Sequence, residues 1–327
     1  METNRNLIGL RTSSFLLLLL LLEACATPIR MRTGLRTEVS EDRQEVTKQD
    51  EKHEGTAPVF GPPLPAEGAI INFYGPAPEK KQSWIIALGP GVVRGFASAG
   101  VIKSLRSLKW QVNYIIATEM GALVAALYSS SQSINHFEWA LMKVNEEMFI
   151  EPQGFIGKLT HGSNPRQKLQ SFLEKTFQNK TFKDLKIPLK IVAQNPKNHE
   201  YFIIDEGRVV DALMAALAIP GYLPPYGGHF GKNHLVLSSA RQGSDVILEK
   251  AQELPHDYIL NVQLSAQINK RGGNLDQGDI FFLRPHLEDI QDSDFTKKNE
   301  SVFRGKDSMD QQISHIQESI LGEKKHE

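Results

Sequence analysis

Glu119 stands where acyl-transfer chemistry would place a nucleophile. It lies in Tyr114-Ile115-Ile116-Ala117-Thr118-Glu119-Met120-Gly121-Ala122-Leu123, an apolar strand that turns into a helix of small residues. A strand–turn–helix of this kind carries the G-x-S-x-G nucleophile elbow, which exposes a serine hydroxyl at the top of a sheet. Here Gly121 keeps the second glycine, Ala117 replaces the first, and Glu119 occupies the serine position. Without that oxygen there is no acyl-enzyme route at this position. A carboxylate can itself act as base or nucleophile, but that chemistry needs a second positioned acid. Beside a developing oxyanion an ionised Glu119 would repel. The reading is therefore a structural anion at a helix start, favoured by the helix dipole by ~0.3–1 kcal/mol, with Arg94 as its neutralising partner.

The elements that would position these residues alternate. Residues 84–88 are a short continuous apolar run, as a strand buried on both faces should be. Gly89-Pro90-Gly91 ends it, and Val101, Ile102, Leu105 and Leu108 then follow helical spacing. Residues 112–117 are a second strand and 121–128 begin a second helix. Residues 165–177 and 209–217 read as helices, and 188–193, 201–204, 234–237, 258–262 and 280–283 as strands. Met309, Ile313, Ile316 and Ile320 put a helix over 306–321. Such alternation predicts an α/β fold, a three-layer α/β/α sandwich with a mostly parallel central sheet.

Five segments in order resemble the patatin-like phospholipases of bacteria. Leu88 to Ile102 is similar to the family's glycine-rich loop, followed by Arg94-Gly95 and a helix. Ala117-Thr118-Glu119-Met120-Gly121 stands for its Gly-Thr-Ser-x-Gly. Residues 182–189, the proline turn Ala218-Ile219-Pro220-Gly221-Tyr222-Leu223-Pro224-Pro225, and residues 279–285 through Asp294-Phe295 follow its later pattern. The resemblance implies a serine–aspartate dyad and an oxyanion hole of backbone N–H groups in the loop to which Gly89, Pro90, Gly91, Val92, Arg94 and Gly95 correspond. Ala117, Thr118 and Gly121 would form the elbow. The departures fall on the chemistry. Leu237 stands where the family has its aspartate, and Ser238 and Ser239 replace the glycines after it. Pro90 and Val92 replace loop glycines, and proline has no N–H to donate. The expectation is a degenerate dyad at Glu119 and Leu237 with no catalytic residue.

Three functions stay open at this point. One is a non-catalytic binding or assembly module whose former acyl cleft holds a lipid or an envelope protein. A second is an acyl hydrolase with a relocated nucleophile at Ser98, Ser238 or Ser239. A third is a scaffold with a collapsed cleft. Fold alone does not choose among them.

The N-terminus points to export. Arg5 and Arg11 precede the apolar run 15–22, far short of the roughly 20 residues that a membrane span needs. Leu22-Glu23-Ala24-Cys25 resembles a bacterial lipobox, and Cys25 is the single cysteine of 327 residues. Residues 1–24 then form a lipoprotein signal peptide, with Cys25 lipidated. Cleavage as an ordinary A-x-A site is the alternative. Ala26 after the cysteine favours an outer-membrane lipoprotein, facing the periplasm or exposed at the surface. Residues 25–81 form a charged and proline-punctuated tether unable to bury a core, with 70–74 as a candidate docking strand. Residues 82–327 form the patatin-like domain. The formal net charge of -1 excludes the strong basic field of a nucleic-acid binder. No cofactor and no metal are expected, and His229 and His234 read as surface or core histidines rather than a ligand pair.

Overall fold

The computed structural model describes residues 82–108, 110–131, 133–150, 164–264 and 278–323, all within one compact unit, Phe73–Glu327. The signal peptide, Cys25, the tether and the candidate strand at 70–74 lie outside the described residues.

Eight strands form one sheet: β1 (Ser83–Leu88), β2 (Gln111–Ala117), β3 (Leu189–Gln194), β4 (Tyr201–Ile204), β5 (Tyr226–Phe230), β6 (Asn233–Ser239), β7 (Tyr258–Val262) and β8 (Ile280–Leu283). Their order is β5-β6-β3-β2-β1-β7-β8, with β4 paired to β3. The centre is parallel, with β1 between β2 and β7, β2 against β3, and β7 against β8. The β3–β4, β3–β6 and β5–β6 pairs are antiparallel. Alternate residues of β1 enter two separate cores. Trp84, Ile86 and Leu88 join the larger one, Ile85 and Ala87 the smaller. Both faces are thus covered, which is why the central strands are continuously apolar.

The helices are α1 (Ala97–Ser107), α2 (Glu119–Ser131), α3 (Ile134–Lys143), α4 (Pro165–Phe177), α5 (Val209–Ala216), α6 (Ser244–Gln252) and α7 (Lys298–Glu323). Residues of α1, α2, α3, α4, α5 and α7 build the larger core, and Ile247 and Ala251 of α6 sit in the smaller one. The architecture is the expected three-layer α/β/α sandwich. At α4 the Asn164 side chain accepts a hydrogen bond from the Gln167 N–H, and Pro165 takes the first helical position.

Three elements escape the sequence pattern. α3 follows Ser133 and α6 follows Gly243 as N-cap residues, neither with a side-chain cap hydrogen bond. β5, Tyr-Gly-Gly-His-Phe, reads locally as a loop and becomes a strand by pairing with β6. α7 starts at Lys298 rather than 306, because a turn of 3₁₀-helix capped by the Asp294 side chain runs directly into it. α7 packs on α1 at two glycines. A Cβ on Gly100 would lie 2.0 Å from the Val302 carbonyl oxygen, and one on Gly305 2.0 Å from that of Ala97. Only bare backbones can approach this closely. This contact holds the N-terminus of α7 behind the loop after β1, where the Ser301 hydroxyl donates to the Arg94 carbonyl.

Candidate functional site

The elbow keeps its geometry without its serine. β2 ends at Ala117, and the Thr118 hydroxyl is tied to the Val192 carbonyl of β3 at 2.8 Å. Glu119 follows with φ +50°, the left-handed region that a non-glycine residue seldom adopts. A backbone of this kind costs on the order of 1–3 kcal/mol and persists where the surroundings dictate it. They do so here: a Cβ on Gly121 would stand 3.1 Å from Leu88 Cβ and 3.4 Å from the Gly89 oxygen. The first turn of α2 is therefore wedged against the end of β1.

Glu119 is fully buried. Its Oε1 accepts a hydrogen bond of 3.1 Å from the Ser239 hydroxyl on β6. Oε2 has no hydrogen-bond partner among the described residues. Burial pushes the carboxyl pKa up from 4.5 to about 7, against the opposing pull of Arg241 and of the Ser239 hydrogen bond. Asp292 pushes it further up, and the Gly91 amide lowers it least of all, outside the geometry of a full hydrogen bond. This corrects the expectation of an anion stabilised by the helix dipole. Desolvation of a carboxylate with one unpartnered oxygen outweighs a dipole worth a fraction of a kcal/mol.

Arg94 does not neutralise Glu119. Its Nε donates to the Leu287 carbonyl at 3.2 Å, and its guanidinium lies 3.9 Å from Asp292. Asp292 is the centre of the site. Its Oδ1 accepts from the Val92 N–H at 3.3 Å, and its Oδ2 from the Arg241 guanidinium at 2.6 Å. The donors of the loop after β1 are largely committed. The Gly89 N–H donates to Val262, the Gly95 N–H to the Val92 carbonyl, and Pro90 has none. Tyr222 flanks the cluster. Burial raises its hydroxyl pKa, and Asp292, Arg241, Glu119 and Arg94 all act on it electrostatically. Beside it, Pro196, Ala218, Pro220, Tyr222, Leu223 and Ser238 line a groove of about 520 Å³.

Residues 86–228 match the family model described as Patatin-like phospholipase. This stretch of the chain is a patatin-like phospholipase domain. It is 26% identical over 148 residues to human patatin-like phospholipase domain-containing protein 6, covering 43% of this chain and 10% of that protein. It is 24% identical over 143 residues to an uncharacterized NTE family protein of Mycobacterium tuberculosis, covering 43% of this chain and 39% of that one. The chain thus spans well under half the length of these relatives. Among solved structures, VipD from Legionella pneumophila aligns with a TM-score of 0.44 at 11% identity, covering 71% of this chain and 66% of that one. The type III effector protein ExoU aligns with a TM-score of 0.39 at 10% identity, covering 73% and 53%.

In this patatin-like domain the matched region holds the loop, the elbow and the proline turn but ends before β6. Leu237 lies on β6, opposite Tyr226, and is fully buried in the larger core. Ser239, two residues on, meets Glu119 instead. The other serines considered as nucleophiles have no carboxylate partner. Ser98 is buried with an unpartnered hydroxyl, and the Ser238 hydroxyl donates to the Gln194 carbonyl at 3.3 Å. Sequence reasoning missed Arg241 and Asp292. Arg241 sits two residues past Ser239, and that position just after β6 is the local signal for it. Asp292 lies 200 residues from Val92, and no local pattern joins them.

Proposed function

We propose that this chain carries a non-catalytic patatin-like domain that serves as a binding module of the cell envelope. One observation supports it above all. The elbow position holds the buried carboxyl of Glu119, and the neighbouring Val92 amide is already bonded to the Asp292 carboxylate. An oxyanion forming there would meet an occupied donor and a second acidic group, the reverse of the preorganised donors that acyl transfer needs. The groove beside Tyr222 is the natural place for a lipid or a peptide segment. In this reading residues 1–24 direct export, and lipidated Cys25 anchors the domain, through the tether, to the outer membrane. No helix among the described residues is long and apolar enough to cross a membrane. Purified protein should hydrolyse neither phospholipids nor short acyl esters above a mock preparation. It should also resist fluorophosphonate probes. Cys25→Ser should move the protein from the membrane to the soluble fraction and remove the mass of the acyl chains.

The Ser239–Glu119 hydrogen bond favours a second reading, a hydrolase that uses Ser239 as nucleophile with Glu119 as its base. A carboxyl pKa of about 7 suits a general base. Stoichiometric fluorophosphonate labelling that maps to Ser239 and disappears in Ser239→Ala would establish this reading and overturn the first.

A further inference from the structure

The β5–β6 hairpin closes through a two-residue turn, Gly231-Lys232, with Gly231 at φ +59°. This register sets His229 directly opposite His234. The face they share is open: Gly227, Val236 and both histidines are exposed. Gly227 offers no side chain, and a Cβ there would still be 3.8 Å from the His234 ring. The two imidazole centres lie 5.0 Å apart with the ring planes at 77°.

That spacing is the one a shared metal ion would require. A nitrogen–metal bond of about 2.05 Å places an ion about 3.2 Å from the ring centre, so two imidazoles meeting at the roughly 100–110° of a tetrahedral ion have centres about 5 Å apart. The 77° between the planes is compatible, because each ring is free to rotate about its own nitrogen–metal bond. Neutral imidazole suits zinc, copper and nickel, with copper(II) held most tightly at a given site. We propose that His229 and His234 form a two-imidazole site for one divalent late-transition-metal ion on the exposed face of the β5–β6 hairpin. No cluster of three or more histidine, cysteine or acidic side chains with metal-binding potential occurs among the described residues. Among the described residues no third side chain completes the set, so water fills the remaining coordination positions in the simplest form of the site. The ion would bridge the two strands through histidines five residues apart in sequence and pin their register.

Copper(II) added to the full chain provides the test. Electron paramagnetic resonance should show two imidazole nitrogens on the bound ion in the wild type. His229→Gln and His234→Gln should each show at most one from this pair, with affinity down at least tenfold by calorimetric titration. Nickel(II) should raise the Tm of the wild type, since a ligand that binds only the folded hairpin stabilises it, and leave both variants unmoved. Both side chains are exposed, so the variants keep the fold, and their unchanged melting without metal verifies this. Single variants that bind copper within twofold of the wild type, with the same nitrogen signature, would overturn the proposal.

Discussion

The Ser239 hydroxyl donates to Glu119 Oε1 across 3.1 Å, linking the end of β6 to the first residue of α2. The resemblance to patatin-like enzymes implies a hydroxyl at the elbow and a carboxylate near the end of the later strand. Here the acid is at the elbow, and the hydroxyl that meets it comes from Ser239, two residues past Leu237, which stands at the expected aspartate position. The hydroxyl now sits on the strand, and the strained backbone carries an acid that is half-protonated near neutral pH. Above it, Asp292 bonds the Val92 amide and Arg241. The site is thereby satisfied internally, apart from Glu119 Oε2.

Restoring the serine alone should not restore an enzyme. In Glu119→Ser the hydroxyl has Leu237 where the resemblance places the base, and a missing general base costs about 10²–10⁴ in rate. The Val92 amide also stays on Asp292, and one lost oxyanion donor costs about 10²–10³. Ester hydrolysis by Glu119→Ser should equal that of a mock preparation. Adding Asp292→Ala and Leu237→Asp should bring weak activity. Strong turnover by the single variant would show that neither obstacle operates.

Arg94 and Glu119 should behave as independent sites. The guanidinium holds Leu287 and approaches Asp292, with no bond to Glu119. In thermal melts, the losses in Arg94→Ala and Glu119→Ala should add in the double variant to within about 0.5 kcal/mol. A coupling of 2 kcal/mol or more would mean that the two groups share a buried ion pair.

Much of this site was legible and part of it was not, for different physical reasons. β7 and β8 coincide with apolar runs read directly from the sequence, because strands buried on both faces need no partner to announce them. The elbow was legible because its strand, turn and small-residue helix are consecutive. The ionisation of Glu119 was not, since the dipole that favours the anion is local and the burial that opposes it comes from β6 and the loop after β1. Asp292 was invisible for the same reason, since its partners Val92 and Arg241 lie on other elements. β5 has two glycines and no alternating pattern of its own, so only its pairing with β6 defines it.

The α1–α7 crossing should tolerate no side chain at its glycines. Gly305→Ala places a methyl 2.0 Å from the Ala97 carbonyl oxygen, a backbone atom that cannot swing aside. Overpacking of this kind costs about 1–3 kcal/mol, occasionally more. The helix gains up to ~1 kcal/mol in propensity from the same substitution, and a 2.0 Å approach to backbone calls for the upper end of the overpacking range, so the net loss should be about 2 kcal/mol in urea unfolding. An unchanged or raised stability would mean that α7 does not pack on α1 this closely.

Glu119 should also make stability depend on pH. Its carboxyl titrates at about 7 in the folded domain against an ordinary 4.5. Between those values the folded state binds a proton that the unfolded chain has released, so stability falls as pH rises. The contribution is fully present below about pH 4.5 and is lost as pH passes through about 7. A shift of this size corresponds to roughly 3 kcal/mol, since each pKa unit is worth about 1.4 kcal/mol. Glu119→Gln stays uncharged throughout and should lack this slope. Subtracting its urea unfolding free energies from those of the wild type at matched pH removes the titrations common to both proteins. The difference should turn against the wild type by roughly 3 kcal/mol between pH 4 and pH 8. The neighbours set where it turns. Arg241→Ala removes a cation that lowers the Glu119 pKa and should move the midpoint up, while Asp292→Asn removes an anion that raises it and should move the midpoint down. A difference that stays flat from pH 4 to pH 8 would mean that Glu119 titrates in the folded domain near its ordinary 4.5, with its burial relieved by solvent.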